Sequence, residues 1–418
     1  MNDWQSGTSM KRILIIEIST SGHHPSYLRH IVQSIIKDAA EVVIAGTQDV
    51  LEHPELVSFQ GRFIPIEIDL SQGEQVNLRD LSVLGLIRRE LCVRRVFARA
   101  WREASRAGSI DTVILPFVDD CLNALALLGA PFVRTNWVAI TMRTQFHLSR
   151  MGVIAPTPAA SPLREWLFRR MLKQRTLVKL LSIDPTLNEF ASRQGAPEFK
   201  KIYYLPDPSD VLPPVNKFHA RESLAIPPDC KVVLVYGSLT QRKGIVNLIR
   251  AMCRADCPES IHLLLAGTSD DHVKTLLESP PATSLVASNR LHIVEGYVPE
   301  NRVPQLVYAC DAVWIGYLEF YTMSNVLVLA SRHMLPCITS REGIVGYLSR
   351  MHGFGIAVDP RSELSIVEVL QRLARGDASI AHAAETASAA FSQHSCTEFY
   401  RVIGESIQSA NQNAIASS

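Results

Sequence analysis

A basic pair follows a glycine in the second half of the sequence. The apolar segment VVLVYG ends at Gly237, and Arg242 and Lys243 precede Gly244, where a helical pattern begins. In open α/β sheets, ligands lie beyond the carboxyl ends of the strands, so these two cations are placed where an anion such as a pyrophosphate would bind. Taken alone, the pattern favours a solvated basic turn before a helix.

A second anion-binding feature is predicted at Ser324 and Asn325, which open another helical pattern. Backbone N–H groups at the N-terminus of a helix, together with the helix dipole, favour phosphate binding. Ser324 is also a common N-cap residue, and the sequence supports a simple capping role equally well.

Two histidines follow the first apolar strand of the chain, in the turn Gly22-His23-His24. A glycine allows a phosphate or a sugar to approach the backbone closely, and a histidine donates to phosphate or exchanges a proton near neutral pH. We therefore predict that Gly22 and His23 bind the ligand and that His24 is catalytic. A histidine pair also suits a metal ion, but no third ligand occurs at short spacing, so no metal site is predicted.

Asp119 follows another apolar strand, DTVILPF. A carboxylate at that point can accept the proton of a reacting hydroxyl or hold the hydroxyls of a sugar, and we predict a catalytic role for it. The alternative is an N-cap of the helix that follows in CLNALALLG.

Two basic segments interleave cations with apolar residues. Residues 88–106 contain seven arginines and two glutamates, and a solvated basic face is the favoured interpretation there. Residues 161–180 instead predict a cationic amphipathic helix on an anionic membrane, which would suit a lipid-linked ligand. The residues predicted to contact the membrane or the acceptor are Arg164, Trp166, Arg169, Arg170 and Lys173.

Length and composition place these features in a globular protein. The 418 residues suffice for two domains, and the hydrophobic fraction of 47% with 20% charged residues is ordinary for packed domains. A formal net charge of +1 gives no global reason to expect nucleic acid as a partner. The eight cysteines are scattered, and the sequence shows no secretory pattern. Its longest apolar run is too short to span a bilayer. These features predict a cytoplasmic protein, either soluble or peripheral at the inner face of a membrane.

Strand-like and helical patterns alternate through both halves. This alternation predicts an α/β protein with two Rossmann-like domains, each built on a doubly wound parallel sheet. In the second half the predicted strands are 232–237, 261–267, 290–298, 311–317, 335–340 and 355–359, and in the first half the long predicted helices are 80–107 and 163–181. The predicted divisions are a tail at 1–10, an N-terminal domain at 11–206, a proline-rich linker at 207–230, a C-terminal domain at 231–380, and a helix with a disordered tail at 381–418.

The motifs of the second half resemble those of retaining glycosyltransferases with the GT-B fold, of the family 4 type (glycosyl transferases group 1). VVLVYGSLTQRKGIVNLIRAM, HLLLAG, EGYVPENRVPQLVYACDAVWIGY, VLVLASRHMLPCITS and GFGIAVDP follow the order of that family across residues 230–375, and SGHHPSYLRHIV resembles its first glycine loop and helix more weakly. The resemblance implies two domains facing a cleft, a UDP- or GDP-linked sugar as donor, retention at the anomeric carbon, and neither a metal ion nor a cofactor.

The resemblance also implies contacts to the donor. The nucleotide base of the family packs beside the turn that holds Tyr297 and Val298 here. Two family glutamates, which grip the sugar and the ribose, are replaced by Tyr321 and Leu329, and Glu319 is the nearest substitute for the first of them. Ser238 replaces a family arginine. The predicted donor-binding residues of this half are Gly237, Arg242, Lys243, Tyr297, Val298, Glu319, Ser324 and Asn325.

Three functions remain compatible with the sequence. The first is sugar transfer to a glycan, a lipid-linked or a small-molecule acceptor by a hexosyltransferase-like enzyme, in glycan, polysaccharide or glycolipid assembly. The second is a binding or partner subunit that has lost the chemistry, which the missing glutamates favour. The third is a nucleotide-sugar epimerase of the same fold. A cofactor-dependent phosphorylase would need a Schiff-base lysine, and no lysine occurs in a recognisable context for one.

Overall fold

The computed structural model describes residues 11–37, 41–80 and 82–415. The chain divides into two compact units. The first unit contains the chain up to His147, Thr157–Pro208 and the chain from Cys396 onward, and the second contains Leu148–Pro156 and Ser209–Ser395. The tail predicted at 1–10 lies outside the described residues.

A parallel sheet forms the centre of the first unit. Its strands are β1 (Arg12–Ile16), β2 (Glu41–Gly46), β3 (Ile64–Glu67), β4 (Thr112–Leu115), β5 (Asn136–Thr141), β6 (Leu177–Ser182) and β7 (Ile202–Tyr204). They form a seven-stranded sheet in the order β3-β2-β1-β4-β5-β6-β7. Strands β1, β4 and β5 are apolar along nearly their whole length, as expected of parallel strands with both faces covered.

Helices accompany this sheet. They are α1 (His24–Ile36), α2 (Gln48–Leu51), α3 (Gln72–Arg79), α4 (Val83–Ala107), α5 (Leu122–Leu128), α6 (Ser161–Leu172) and α7 (Pro185–Gln194), with single 3₁₀ turns at Pro54–Phe59 and Pro197–Lys201. The predicted helix at 163–181 is wrong in its second part, because Leu177, Leu180 and Leu181 are fully buried in β6. Tertiary burial between two strands overrides a helical pattern there.

The second unit contains a six-stranded parallel sheet. Its strands are β8 (Lys231–Tyr236), β9 (Ile261–Gly267), β10 (Leu291–Glu295), β11 (Ala312–Ile315), β12 (Cys337–Ser340) and β13 (Ile356–Val358). The strand order is β10-β9-β8-β11-β12-β13, so the predicted doubly wound architecture is confirmed. The predicted strand at 290–298 ends early because Gly296 turns the chain at a φ of +99°.

The helices of the second unit are mostly short. They are α8 (Lys217–Ser223), α9 (Ile245–Met252), α10 (Asp271–Leu277), α11 (Pro280–Ala287), α12 (Val303–Ala309), α13 (Asn325–Arg332), α14 (Gly343–His352), α15 (Glu363–Ala374) and α16 (Ala378–Ala390), with 3₁₀ turns at Leu148–Met151, Gln241–Lys243 and Glu300–Arg302. A core centred on β8, β9 and α9 includes Val233, Leu265 and Leu248, all fully buried.

The last described helix, α17 (Cys396–Ile415), belongs to the first unit. It packs against α1, where the rings of Phe399 and Tyr27 meet edge to face at 5.8 Å. Of the predicted terminal tail, residues 416–418 lie outside the described part of the chain. None of the helices that the structure describes has both the length and the apolar character needed to cross a membrane.

Candidate functional site

The strand order of the second unit reverses between β8 and β11. A doubly wound sheet opens a crevice at the carboxyl ends of the strands at such a point, because the connecting helices leave to opposite faces. Gly237 directly follows β8, and Tyr317, which is 4% exposed, follows β11. The predicted stretch from Gly237 to Gly244 therefore lies at the edge where this fold binds ligands.

Lys243 is the buried cation of this edge. Its side chain is buried, and Nζ donates a hydrogen bond to the carbonyl oxygen of Tyr236 at the end of β8. The same Nζ lies 5.5 Å from the centre of the Tyr317 ring. Burial, reinforced by the nearby charge of Arg242, lowers the pKa of Lys243 from 10.5 to about 7. An anion bound beside it would restore the proton, so the site is suited to a phosphate.

The turn that carries Lys243 is fixed by backbone packing. Gly244 has a φ of +67°, and a Cβ atom there would lie 2.7 Å from the carbonyl oxygen of Gly316. The indole Nε1 of Trp314, a buried β11 residue, donates to the carbonyl oxygen of Lys243 at 2.8 Å. Only glycine allows this close approach of the turn to β11, which explains the Lys-Gly sequence before α9.

Arg242 has an exposed side chain, unlike the buried Lys243 beside it in sequence. Its guanidinium carbon lies 4.7 Å from the ring centre of Phe320 and 6.0 Å from that of Tyr317. Such cation–π contacts orient an arginine without neutralising its charge. Arg242 therefore remains able to bind an anion at the same edge.

Ser324 and Asn325 lie at the start of α13. Ser324 is 5% exposed and stands at the N-cap position, but within the described residues its side chain makes no capping hydrogen bond. Its side chain lies beside that of Tyr317, whose pKa burial raises to about 12. The structure thus brings Lys243, Tyr317 and Ser324 together, and the exposed Asn325 begins the helix beside them.

The other predicted donor contacts lie further along the same edge. Tyr297 is 75% exposed after β10, and Val298 is buried. Tyr297 is close enough to Tyr236 to contribute, after burial, to raising the pKa of Tyr236 to about 12. An exposed ring at this place suits stacking on a base, and that contact stays a prediction.

Glu319, the predicted substitute for the missing family glutamate, is exposed after β11, and its role stays a prediction. Its side chain is 79% exposed, its φ is +52°, and its nearest cation is Arg361 at 3.9 Å. A carboxylate that sequence reasoning missed lies nearby: Glu342, which is 2.9 Å from Arg361. Glu342 also contributes, after burial, to a raised pKa of Tyr321. It follows β12, in a segment where no motif indicates it.

The first unit has a corresponding strand reversal between β1 and β4, where His24 lies. His24 is 4% exposed, and its ring stacks on Phe117 with the centroids 3.5 Å apart. Its Nδ1 is 2.9 Å from Oε2 of Glu17, which is also buried. The other oxygen of Glu17 accepts hydrogen bonds from the backbone N–H groups of Ile18 and Ser19 at 2.8 and 2.9 Å.

The imidazole of His24 is therefore packed against both the carboxylate of Glu17 and the ring of Phe117, and its contact with Glu17 is an ion-pair contact that is not aligned as a hydrogen bond. Since Nδ1 lies 2.9 Å from the carboxylate, we expect Nε2 to be the ring nitrogen that contacts a ligand. Sequence reasoning missed Glu17, although an acidic residue at the end of the apolar run RILIIEI is a usable signal. Gly22 and His23 are exposed in the preceding turn, with open space beside Gly22 at a φ of +61°.

Asp119 follows β4, and its carboxylate is hydrogen-bonded to residues at the end of β5. Its carboxylate accepts hydrogen bonds from the Thr141 hydroxyl at 2.7 Å and from the backbone N–H groups of Met142 and Arg143 at 2.8 and 3.3 Å. Burial nevertheless raises its pKa above the usual value. The alternative N-cap interpretation is wrong, because α5 has Cys121 at its N-cap position. A catalytic role for Asp119 stays a prediction.

The basic segment at 161–180 differs from the predicted amphipathic membrane helix. Its apolar residues Leu167, Phe168, Met171 and Leu172 are buried in α6, so they face the protein interior. Arg169 and Lys173 lie 2.8 and 3.8 Å from Glu198. The exposed residues of this surface are Arg164, Trp166, Arg170 and Lys173, with Arg170 5.6 Å from the Trp166 ring centre. Contact of these residues with a membrane stays a prediction.

Comparisons with known proteins agree with this geometry. Residues 230–375 match the model of the family described as Glycosyl transferases group 1, as the motifs predict. No curated protein matches the chain. HepE of Anabaena, solved in complex with UDP and glucose, is 18% identical, with a TM-score of 0.65 over 96% of this chain and 100% of that chain.

Two further solved structures have the same fold. Sucrose-phosphate synthase from Thermosynechococcus elongatus is 15% identical, with a TM-score of 0.68 over 98% of this chain and 100% of that chain. A glycosyltransferase from Rickettsia africae is 12% identical, with a TM-score of 0.64 over 97% of this chain and 100% of that chain. The chain has the GT-B fold, and the fold prediction is confirmed.

Proposed function

We propose that this GT-B chain transfers a sugar from a nucleotide-sugar to the hydroxyl of an acceptor. The observation that carries the proposal is the buried Lys243, placed with Ser324 at the strand reversal of a unit that matches the glycosyl transferases group 1 model. HepE is described in complexes with UDP and with UDP-glucose, which supports a UDP-linked sugar as the donor.

The cations of this edge have a direct chemical role in the proposed reaction. As the sugar leaves, negative charge grows on the nucleoside diphosphate, and preorganised donors stabilise that charge. Protonated Lys243, the exposed Arg242 and the first N–H groups of α13 supply such donors. We therefore propose a reaction without a metal ion or cofactor and, following the family resemblance, with retention at the anomeric carbon.

His24 is proposed to hydrogen-bond the transferring sugar through Nε2. Glu17, 2.9 Å from Nδ1, and Phe117, stacked on the ring, limit its movement and so reduce the reorganisation needed in the transition state. Gly22, His23 and Tyr297 are proposed as further donor contacts. The setting that we propose is glycan or glycolipid assembly at the cytoplasmic side of a membrane.

A turnover assay tests this proposal. Purified protein is incubated with UDP- and GDP-linked sugars, with and without an acceptor panel, while free nucleoside diphosphate and sugar products are measured. Diphosphate release that requires an acceptor is the expected result. Interconversion of the donor without release would instead identify an epimerase.

A binding subunit is the second candidate, because Tyr321 and Leu329 stand where the family has glutamates. Tight donor binding without turnover, over a broad range of donors and acceptors, would favour that candidate over the transferase.

Donor binding is expected to depend on pH through Lys243. Its free pKa of about 7 rises when a diphosphate binds, so binding takes up a proton above pH 7. The affinity for UDP is then fully developed below pH 7 and falls as the pH rises from 7 to 9. Calorimetric titrations in buffers of different ionisation enthalpy measure the proton uptake directly. A Lys243→Met variant should show none, and equal proton uptake in both proteins would contradict the role of Lys243.

A further inference from the structure

A cavity of about 730 Å³ opens in the first unit. It lies between α4, α5 and α6, beside the carboxyl ends of β4 and β5, and Asp119 is at its edge. This volume falls in the range of small-molecule sites, which is roughly 300–1,000 Å³. The residues proposed to bind the donor in the second unit are not among those that line it. We refer to it as the α4–α6 cavity.

Large aliphatic side chains from three helices converge on the α4–α6 cavity. Each of these side chains is between 46% and 58% exposed, which is unusual for neighbouring large aliphatic residues. They are Leu86, Ile87, Leu127, Leu128 and Leu163. Isolated exposed leucines need no explanation, whereas a concave apolar surface of this extent marks a ligand groove. The lining therefore suits a hydrocarbon chain.

Asp119 accepts a hydrogen bond from Thr141, and the two other acidic residues of the lining also have partners. Asp120 is 2.9 Å from the guanidinium of Arg89. Glu90 accepts hydrogen bonds from the Asn123 side chain and the Ala124 backbone at 2.5 and 2.8 Å. These carboxylates are consequently not available to a ligand.

Two arginines of the lining have weaker contacts with acidic residues than Arg89 has, or none. The side chain of Arg164 makes no hydrogen bond or ion pair with any residue that the structure describes. Arg143 is 56% exposed and reaches Asp120 only at 3.5 Å. Three arginines and three carboxylates line the cavity, and Arg164 is the arginine without a side-chain partner among the described residues. The charge left open beside the apolar lining is therefore the positive charge of Arg164, which complements an anionic headgroup.

We propose that the α4–α6 cavity binds the acceptor, and that this acceptor is an amphiphile. Its hydrocarbon chain occupies the aliphatic lining, and its anionic headgroup, a phosphate, lies on Arg143 and Arg164. This inference rests on the proposed sugar transfer and specifies its acceptor class. It also gives the exposed part of α6 a role, since Arg164 lies on that helix.

Dodecyl phosphate, kept below its micelle concentration, is the probe for the hydrocarbon chain. Titration calorimetry of the full chain should detect its binding, with much weaker binding of inorganic phosphate. Leu127→Asp and Leu163→Asp each place a charge in the lining and should weaken binding at least about tenfold. Both side chains are more than half exposed, so the fold should tolerate either change. The matched control is Val133→Asp, 68% exposed in the same unit but outside the cavity, which should leave binding unchanged.

Arg164→Ala tests the headgroup. It should weaken dodecyl phosphate binding but not the binding of dodecyl maltoside, whose headgroup is neutral. Arg175→Ala is the control for another exposed arginine of the same unit, outside the cavity lining. Equal binding of inorganic phosphate and dodecyl phosphate, or equal losses in Val133→Asp and Leu163→Asp, would overturn the proposal. Binding only to phosphatidylglycerol vesicles would also overturn it and indicate a membrane surface instead.

UDP titrations of the same samples separate the two levels of the proposal. If UDP binds and dodecyl phosphate does not, the acceptor inference is wrong and the proposed transfer stands. If neither binds, the proposed function itself fails. The aspartate variants should all retain the UDP affinity of the wild type, because the cavity lies in the other unit.

Discussion

Lys243→Ala is expected to lower the rate of sugar transfer by about 100- to 1,000-fold, the range seen when one preorganised donor to a developing anion is removed. Lys243 is buried beside the Tyr236 carbonyl and the Tyr317 ring, where little water can replace its charge. The loss should appear in kcat/KM for the donor and also in the affinity for free UDP. Both are measurable even before the natural acceptor is known, since donor hydrolysis reports the same step.

The control for this change is Lys274→Ala, at an exposed position of α10. It should leave both quantities unchanged.

Thermal unfolding checks that the Lys243 variant folds. The pH dependence of the free energy of unfolding should also differ between the variant and the wild type. Because the folded-state pKa of Lys243 is depressed to about 7, the unfolded chain binds the extra proton between pH 7 and about 10.5. The wild type should therefore gain stability relative to the variant as the pH rises through that window. UDP affinity within twofold of the wild type in Lys243→Ala would contradict the proposed phosphate contact.

His24→Ala is expected to lower kcat by roughly 100-fold while leaving the UDP affinity nearly unchanged. The difference from Lys243 follows from the partner of each residue, because His24 is proposed to contact the sugar and Lys243 the diphosphate. Glu17→Gln should give a smaller loss in kcat, since the amide keeps the shape of the contact at Nδ1 but removes its charge. Steady-state kinetics and UDP titration on the same preparations measure the two effects.

The imidazole stacks on Phe117 in a buried place, so folding must be checked for each of these variants. His24→Asn, which retains a hydrogen-bonding side chain, serves as the second substitution. His382→Ala, 80% exposed in α16, is the control for a histidine distant in sequence. An unchanged kcat in both His24 variants would remove His24 from the reaction, and a loss of UDP affinity as large as that of Lys243→Ala would reassign it to the diphosphate.

Much of the fold could be predicted because buried parallel strands leave an unambiguous pattern. IHLLLAG predicts a strand at 261–267, and β9 has those bounds. The boundary between α6 and β6 could not be predicted in the same way. Leu177 continues the helical spacing of the preceding segment, and only the space between β5 and β7 makes it part of a strand. α17 belongs to the first unit through contacts such as that of Phe399 with Tyr27, which are distant in sequence.

The candidate site likewise has some features that the sequence predicts and others that it does not. Gly237 and Lys243 could be located from sequence because the ends of strands and the starts of helices are local features. The burial of Lys243 could not, since it depends on Tyr317 from another strand. Glu17 and Glu342 were missed because each is significant through a contact, with His24 and with Arg361, rather than through a motif.

Binding of a nucleoside diphosphate by the second unit is the central claim, and thermal unfolding in the presence of UDP and GDP tests it most directly. A ligand that binds only the folded chain stabilises it by about 2.7 kcal/mol at a concentration 100 times its Kd. We predict that UDP or GDP raises the Tm of the wild type in a saturable manner, and that Lys243→Ala loses most of this shift. If neither diphosphate nor any of their sugar conjugates shifts the Tm of the wild type, the claim is contradicted.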